Sequence, residues 1–293
     1  QAMADGIAAK AWTFDELYGR DGKFLDGLDE RKQAFVGEVP PDFTMWTRKP
    51  KVLRKPPRNR DSCPKTYPRL MARDAKACKV QNLAKYSPCL ASQTPQRYRV
   101  RDSHKGPEVW EVRWHVCYRK THDGRLVSSQ CTLIVAVNVR TAEMKYFVSN
   151  RVPGRGGWTL RELLRIAFGR WKVEACFREA KEELGWDHFE CRGWRCVHRH
   201  LIVTIVAQLF CSRVRHQLCR SEIVTDAERL TLEQVRRAAD VFIRCMGLPR
   251  RIRDREYEAE LKRIEYHQTR NAEASRCHCK RRLARYHAMG IDP

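Results

Sequence analysis

Residues 7–40 constrain the fold more than any other stretch. "IAAKAWTF" at 7–14 is a short, mostly apolar run that suits a buried strand. It delivers Asp15 at its C-terminal end, and "DELYG" then turns through Gly19. Residues 20–33 place Phe24, Leu25 and Leu28 at helical spacing, and "AFVGEVP" at 34–40 returns as a strand that Pro40-Pro41 ends. Gly6 reads as the stop of a helical turn formed by the residues before it. Helix end, strand, helix, strand is an α/β pattern with a parallel sheet.

The next hundred residues differ in kind. Residues 48–73 mix proline with a run of Lys and Arg. They read either as a charged linker or as an arm against a nucleic-acid backbone. Residues 98–148 are strand-rich. "VWEVRWHVCYRK" puts Trp110, Val112, Trp114, Val116 and Tyr118 on one face and charged or polar residues on the other. "THDGR" at 121–125 is a hairpin turn, and "CTLIVAVNV" at 131–139 and "MKYFVSN" at 144–150 are two more strands. Together they predict an antiparallel meander.

From the loop "VPGRGG" at 152–157 the pattern turns helical. Thr159 with Glu162 is a capping box opening a helix expected to run to Leu184, with Gly185 as its stop. A second helix over 195–218 carries "LIVTIVAQLF", apolar on nearly every side, which predicts deep burial. Residues 226–293 read as helical and strongly charged.

Charge narrows the partners. The 293 residues hold 58 Lys and Arg against 35 Asp and Glu, a formal net charge of +23. Such an excess is self-repelling unless a polyanion relieves it, and nucleic acid is the first candidate. The longest apolar run, 201–210, is too short to span a bilayer. No signal peptide is legible. The 13 cysteines make no CxxC pair. "CRGWRC" and "CHC" are the nearest approach to zinc spacing, and the alternative is reduced thiols in a cytosolic protein.

One constellation stands out. At about 100° per residue, Arg170, Glu174 and Lys181 share a helix face, with Phe177 between them. Such a set is either a solvated ion pair or a metal-binding carboxylate with phosphate-gripping neighbours. The apolar residues around the same helix predict packing on several sides, where a carboxylate needs a partner or a metal. Asp15, at a strand end, is the natural second carboxylate, or else the N-cap of the next helix.

These residues resemble a known family. Asp15, Tyr18, Gly19, Phe24, Leu25 and Leu28 fall on a D-x-x-Y-G-x…F-L-x-x-L block. Arg170, Trp171, Val173, Glu174, Phe177 and Lys181 fall on an R-W-x-V-E-x-x-F-x-x-x-K block. Over about residues 8–210 the chain resembles the C-terminal two-thirds of a DDE-type insertion-sequence transposase. A related signature, Y-x2-R-x3-E-x6-K, is matched at Arg170, Glu174 and Lys181, with Ala167 at the Tyr position and Phe168 beside it.

The resemblance implies an α/β, RNase H-like core, N-terminally truncated, with a β-rich insertion and a C-terminal helical region. The implied divisions are 1–40, part of the core; 41–150, basic linker and insertion; 151–220, helices completing the core; and 221–293, a basic helical region. It further implies Mg²⁺ or Mn²⁺ held by Asp15 and Glu174, DNA phosphates held by Arg170 and Lys181, duplex DNA as substrate, and a synaptic homodimer in the cytoplasm, on the nucleoid. The first Asp of the family's triad is expected upstream of this chain, since Asp5 falls at a helix end, and the chain alone is expected not to cut DNA. Two rivals remain: a DNA-binding protein without catalysis, and a standalone nuclease of the same fold.

Overall fold

The computed structural model describes residues 6, 8–55, 67–71, 76–103, 105–218 and 230–293. Asp5 and parts of the 48–73 segment lie outside them. The chain divides into two compact units, one of residues 1–103, 107–170 and 286–293, the other of 104–106 and 171–285.

The first unit is mixed α/β. Strand β1 (Trp12–Phe14) leads through helix α1 (Glu16–Gly19) and α2 (Gly22–Glu30) to β2 (Phe35–Val39). Short strands follow: β3 (Thr44–Trp46), β4 (Val52–Leu53), β5 (Arg69–Leu70) and β6 (Cys78–Lys79). After helices α3 (Val80–Tyr86) and α4 (Pro88–Ala91) come β7 (Gln96–Ser103), β8 (Gly106–Lys120), β9 (Val127–Asn138) and β10 (Met144–Ser149). Helix α5 (Leu160–Ala167) and a 3₁₀ turn, Phe168–Arg170, close the run.

Among the described residues an eight-stranded sheet runs β1-β2-β10-β9-β8-β3-β6, with β7 also on β8. The β1–β2 pair is parallel, as the strand–helix–strand pattern requires. The β8–β9–β10 meander is antiparallel, as its hairpin chemistry predicts. Strands from 41–150 thus enter the same sheet as β1 and β2. The expected strand over 7–14 shortens to three residues. Its register pairs Trp12 with Phe35, the first residue of β2, so the described residues before Trp12 lie beyond the end of β2.

The sheet is buried on both faces, and period-two alternation sorts the side chains. Leu133, Val135 and Val148 meet Leu25 and Leu28 of α2 and Leu83 of α3. Val36, Ile134 and Phe147 meet Leu160, Leu163 and Leu164 of α5. The polar face expected of residues 110–118 is therefore not solvated at its end. Cys117 and Arg119 are both buried there, opposite the face that takes Trp110 and Val112. Of the 48–73 segment, β4 and β5 form a two-stranded ribbon.

The capping box at Thr159 and Glu162 is formed. The helix it opens does not run unbroken to Leu184. It gives way to the 3₁₀ turn, and α6 (Trp171–Leu184) starts anew. Gly169, a poor helix former, sits in the break. Phe168 anchors it, its ring 4.8 Å from Trp110 and 5.2 Å from Phe147.

The second unit is helical: α6, α7 (Trp194–Leu218), α8 (Leu232–Arg244) and α9 (Arg250–Ala288). Leu184 of α6, Cys211 and Val214 of α7, and Leu232 and Val235 of α8 make its small core. The deep burial expected of α7 is not found. Ile202, Val203, Val206, Leu209 and Phe210 are all more than half exposed, and only Thr204 and Cys211, two turns apart, are buried. The neighbouring helices cover one stripe of α7, and an all-round apolar helix has more surface than one stripe can use.

Candidate active site

The turn after β1 positions the first candidate carboxylate. Asp15 has extended backbone and caps α1, its Oδ1 accepting from the amides of Leu17 at 3.2 Å and Tyr18 at 3.4 Å. The N-cap role weighed for it from the sequence is therefore present. The other oxygen, Oδ2, makes no hydrogen bond among the described residues. Gly19 ends α1 against β2. A β-carbon there would stand 1.9 Å from the carbonyl oxygen of Glu38, so only glycine lets α1 lie this close. Tyr18 sets its ring 5.3 Å from Phe24, which stands edge-on to Phe14 at 5.1 Å. The D-x-x-Y-G…F-L-x-x-L residues are thus a packing unit whose outcome is the position of Asp15.

Because β1 and β2 are parallel, Asp15 and Pro40 leave the sheet at the same edge. The carboxyl ends of parallel strands are where open α/β sheets hold ligands. A groove of about 610 Å³ in this unit is lined by Arg20, Lys23, Asp42, Lys120 and His122. Arg20 and Asp42 approach to 3.8 Å, both largely exposed, so the pair is weak.

Arg119 lines the groove from below and carries the unit's main buried charge network. Its guanidinium joins Asp26 and Asp29 of α2, and its side chain is 2% exposed. Asp26 also accepts from the His122 amide at 2.8 Å. Asp29 accepts from Asn150 Nδ2 at 2.8 Å, and the Asn150 Oδ1 takes the amide of Phe35. This network ties α2, the β8–β9 turn and the end of β10 to the start of β2. Sequence reasoning missed it. Its only trace is the Asp26, Asp29 spacing of one helical turn, which surface helices share.

The other candidate carboxylate lies on α6, in the second unit. Glu174 and Lys181, seven residues apart, fall within about 20° on the helix. Both are exposed, and Glu174 sits in the first turn, where the helix dipole favours an anion. The opposite face does the packing. Gln208 of α7 donates to the Cys176 carbonyl at 3.0 Å, Arg236 of α8 reaches Glu183 at 3.6 Å, and Ala180 is buried. Phe177 stacks on Trp186 at 5.1 Å, after Gly185 ends the helix with φ +64°. The expectation of a Glu174 buried on several sides is corrected: α6 packs on one face and presents the carboxylate on the other. Arg170 is in the 3₁₀ turn and not on α6, so a shared helical face holds for Glu174 and Lys181 alone.

Asp15 and Arg170 belong to the first unit, Glu174 and Lys181 to the second. Among the described residues no three His, Cys, Asp or Glu are grouped so as to hold a metal ion, the cysteines of 191–196 and 277–279 included. Among them, too, no helix is long and apolar enough to cross a membrane.

Residues 1–107 match the family model described as DDE superfamily endonuclease. The match includes Asp15, Tyr18, Gly19 and the α2 block, and ends before Arg170, Glu174 and Lys181. It supports a DDE-type family and, with it, a nuclease or transposase type of activity. No match was found among curated proteins.

Proposed function

We propose that this chain is a DDE-type transposase acting on duplex DNA. Asp15 and Glu174 are its metal-binding carboxylates, and Arg170 and Lys181 hold the phosphates beside the scissile bond. The observation that carries this reading is the placement of Asp15. It follows a parallel strand pair at the carboxyl edge, with Oδ1 taken by the α1 cap, inside the segment that matches a DDE endonuclease family.

Carboxylates are the donor type that a divalent ion takes, and two of them do not make a complete cage. When bound, Mg²⁺ or Mn²⁺ would polarise the attacking and leaving oxygens of a phosphodiester. The chain's own residues do the rest. The α1 cap holds Asp15 in one orientation. Arg170 and Lys181 balance phosphate charge that grows during transfer. Strand transfer of an insertion sequence within a synaptic homodimer is the activity that this reading implies.

A second reading, a DNA-binding protein without catalysis, is favoured by one observation: Asp15 caps a helix, a structural use that needs no metal. Mn²⁺ binding followed by electron paramagnetic resonance separates the two. The transposase reading expects Mn²⁺ bound by the wild-type chain with duplex DNA present, and at least tenfold weaker binding in both Asp15→Asn and Glu174→Gln. Mn²⁺ binding indifferent to both substitutions, beside intact duplex binding, would establish the second reading.

A further inference from the structure

The charge of α9 is segregated along its length. Its first half alternates sign, with Asp254, Glu256, Glu258, Glu260 and Glu265 among its cations. From Tyr266 to Ala288 the only acid is Glu273, against Arg270, Arg276, Lys280, Arg281, Arg282 and Arg285. The helix spans 39 residues and stays exposed along most of it.

The cations also fall on one side. At about 100° per residue, Arg263, Arg270 and Arg281 line up within about 20°, and Arg285 lies about 60° from Arg270. All four are exposed. Arg282 points elsewhere, donating to the Gly106 carbonyl at 3.0 Å. Beyond Arg263 no acid falls on the stripe; Glu273 lies beside it, 3.4 Å from Arg270. From Arg263 to Arg285 the rise is about 33 Å, close to the roughly 34 Å of one duplex turn.

We infer that this stripe on α9 is a docking surface for the phosphate backbone of duplex DNA, independent of any metal. It rests on the reading of the chain as one that acts on DNA. An anionic membrane surface would need large apolar side chains beside the cations. Between Arg270 and Arg285 the exposed large apolar residues number none among those described. Arginines spaced along one face of a long helix suit phosphates, which position a protein without reading sequence.

The test is duplex binding by the intact chain in EDTA, across a salt series. Four substitutions on the stripe, R263Q, R270Q, R281Q and R285Q, are compared with four exposed cations of the same helix off it, R251Q, R255Q, K262Q and R276Q. Both sets lower the net charge equally. The stripe set is expected to reduce the slope of log affinity against log salt by roughly 3 to 4 and to weaken binding at least about tenfold. The control set is expected to do less than half of that.

A second measurement needs no substitution. Cys277 is exposed and lies about 20° from Arg270 on the stripe. Saturating duplex should slow its reaction with a maleimide at least about fivefold. Equal losses from the two sets, unchanged labelling of Cys277, or binding to anionic vesicles without duplex binding would each overturn the proposal. Because no metal is present, a failure of the Mn²⁺ site leaves this result standing, and the reverse holds too.

Discussion

The ring of Phe14 lies directly on Gly37, its partner in the parallel β1–β2 register. A β-carbon on Gly37 would stand 1.9 Å from the ring. The last residue of β1 thus closes over the middle of β2, and Asp15 is the next residue along. Gly37→Ala forces the ring off its site and is expected to cost about 1–3 kcal/mol, as overpacking does. Urea unfolding checks it, and Phe14→Leu in the same chain should recover part of the loss.

Gly19 is held by a harder neighbour, the Glu38 carbonyl. Gly19→Ala must move α1, and with it the cap that orients Asp15. The expected result is weaker Mn²⁺ binding together with lower stability. Gly27→Ala is the contrast. Its β-carbon would meet only the tip of Arg31, at 3.2 Å, and a mid-helix alanine is favoured by roughly 0.5–1 kcal/mol. That variant should be neutral to stabilising and keep Mn²⁺ affinity. Equal loss from both glycines would remove the link between α1 and Asp15.

Arg119 is 1% exposed between two carboxylates. Arg119→Leu strands Asp26 and Asp29 and should cost about 3–5 kcal/mol. Adding Asp26→Asn and Asp29→Asn to the same chain should recover much of it, because the uncompensated charge goes with them. Denaturant midpoints of the single and triple variants read this out.

The capping box of α5 gives a pH signature. The Lys10 ammonium hydrogen bond, then the Thr159 amide, hold the Glu162 carboxyl below its ordinary 4.5. A carboxylate with a depressed folded pKa contributes stability that is fully present above its ordinary value and fades as pH falls through the lowered one. The stability difference between wild type and Glu162→Gln should therefore be full at pH 6 and shrink below about pH 4. Thr159→Ala, which removes the reciprocal bond, should cost about 1 kcal/mol at neutral pH.

What was legible in the sequence is local. The parallel β1–β2 unit, the hairpin at 121–125, the antiparallel meander and the Thr159 cap follow from period, turn residues and capping chemistry, each settled within a few residues. So was the identity of Asp15 as the residue a strand end presents, because a strand, a turn and Gly19 specify it between them. The limits of β1 were not legible, since a strand is only as long as its partner, and Phe35 sets that limit.

The tertiary structure decided what depends on two elements meeting. Arg119 sits on a strand face that alternation assigns to water, and it is buried because α2 brings Asp26 and Asp29 over it. The helix through Glu174 has apolar residues almost all round, but packing against α7 and α8 uses one face, so Glu174 stays exposed. The break at Gly169 arises because Phe168 is fixed to Trp110 and Phe147 in the sheet while α6 packs among the helices. Apolar content states how much surface a helix could bury; only the neighbours that reach it decide which surface it does bury.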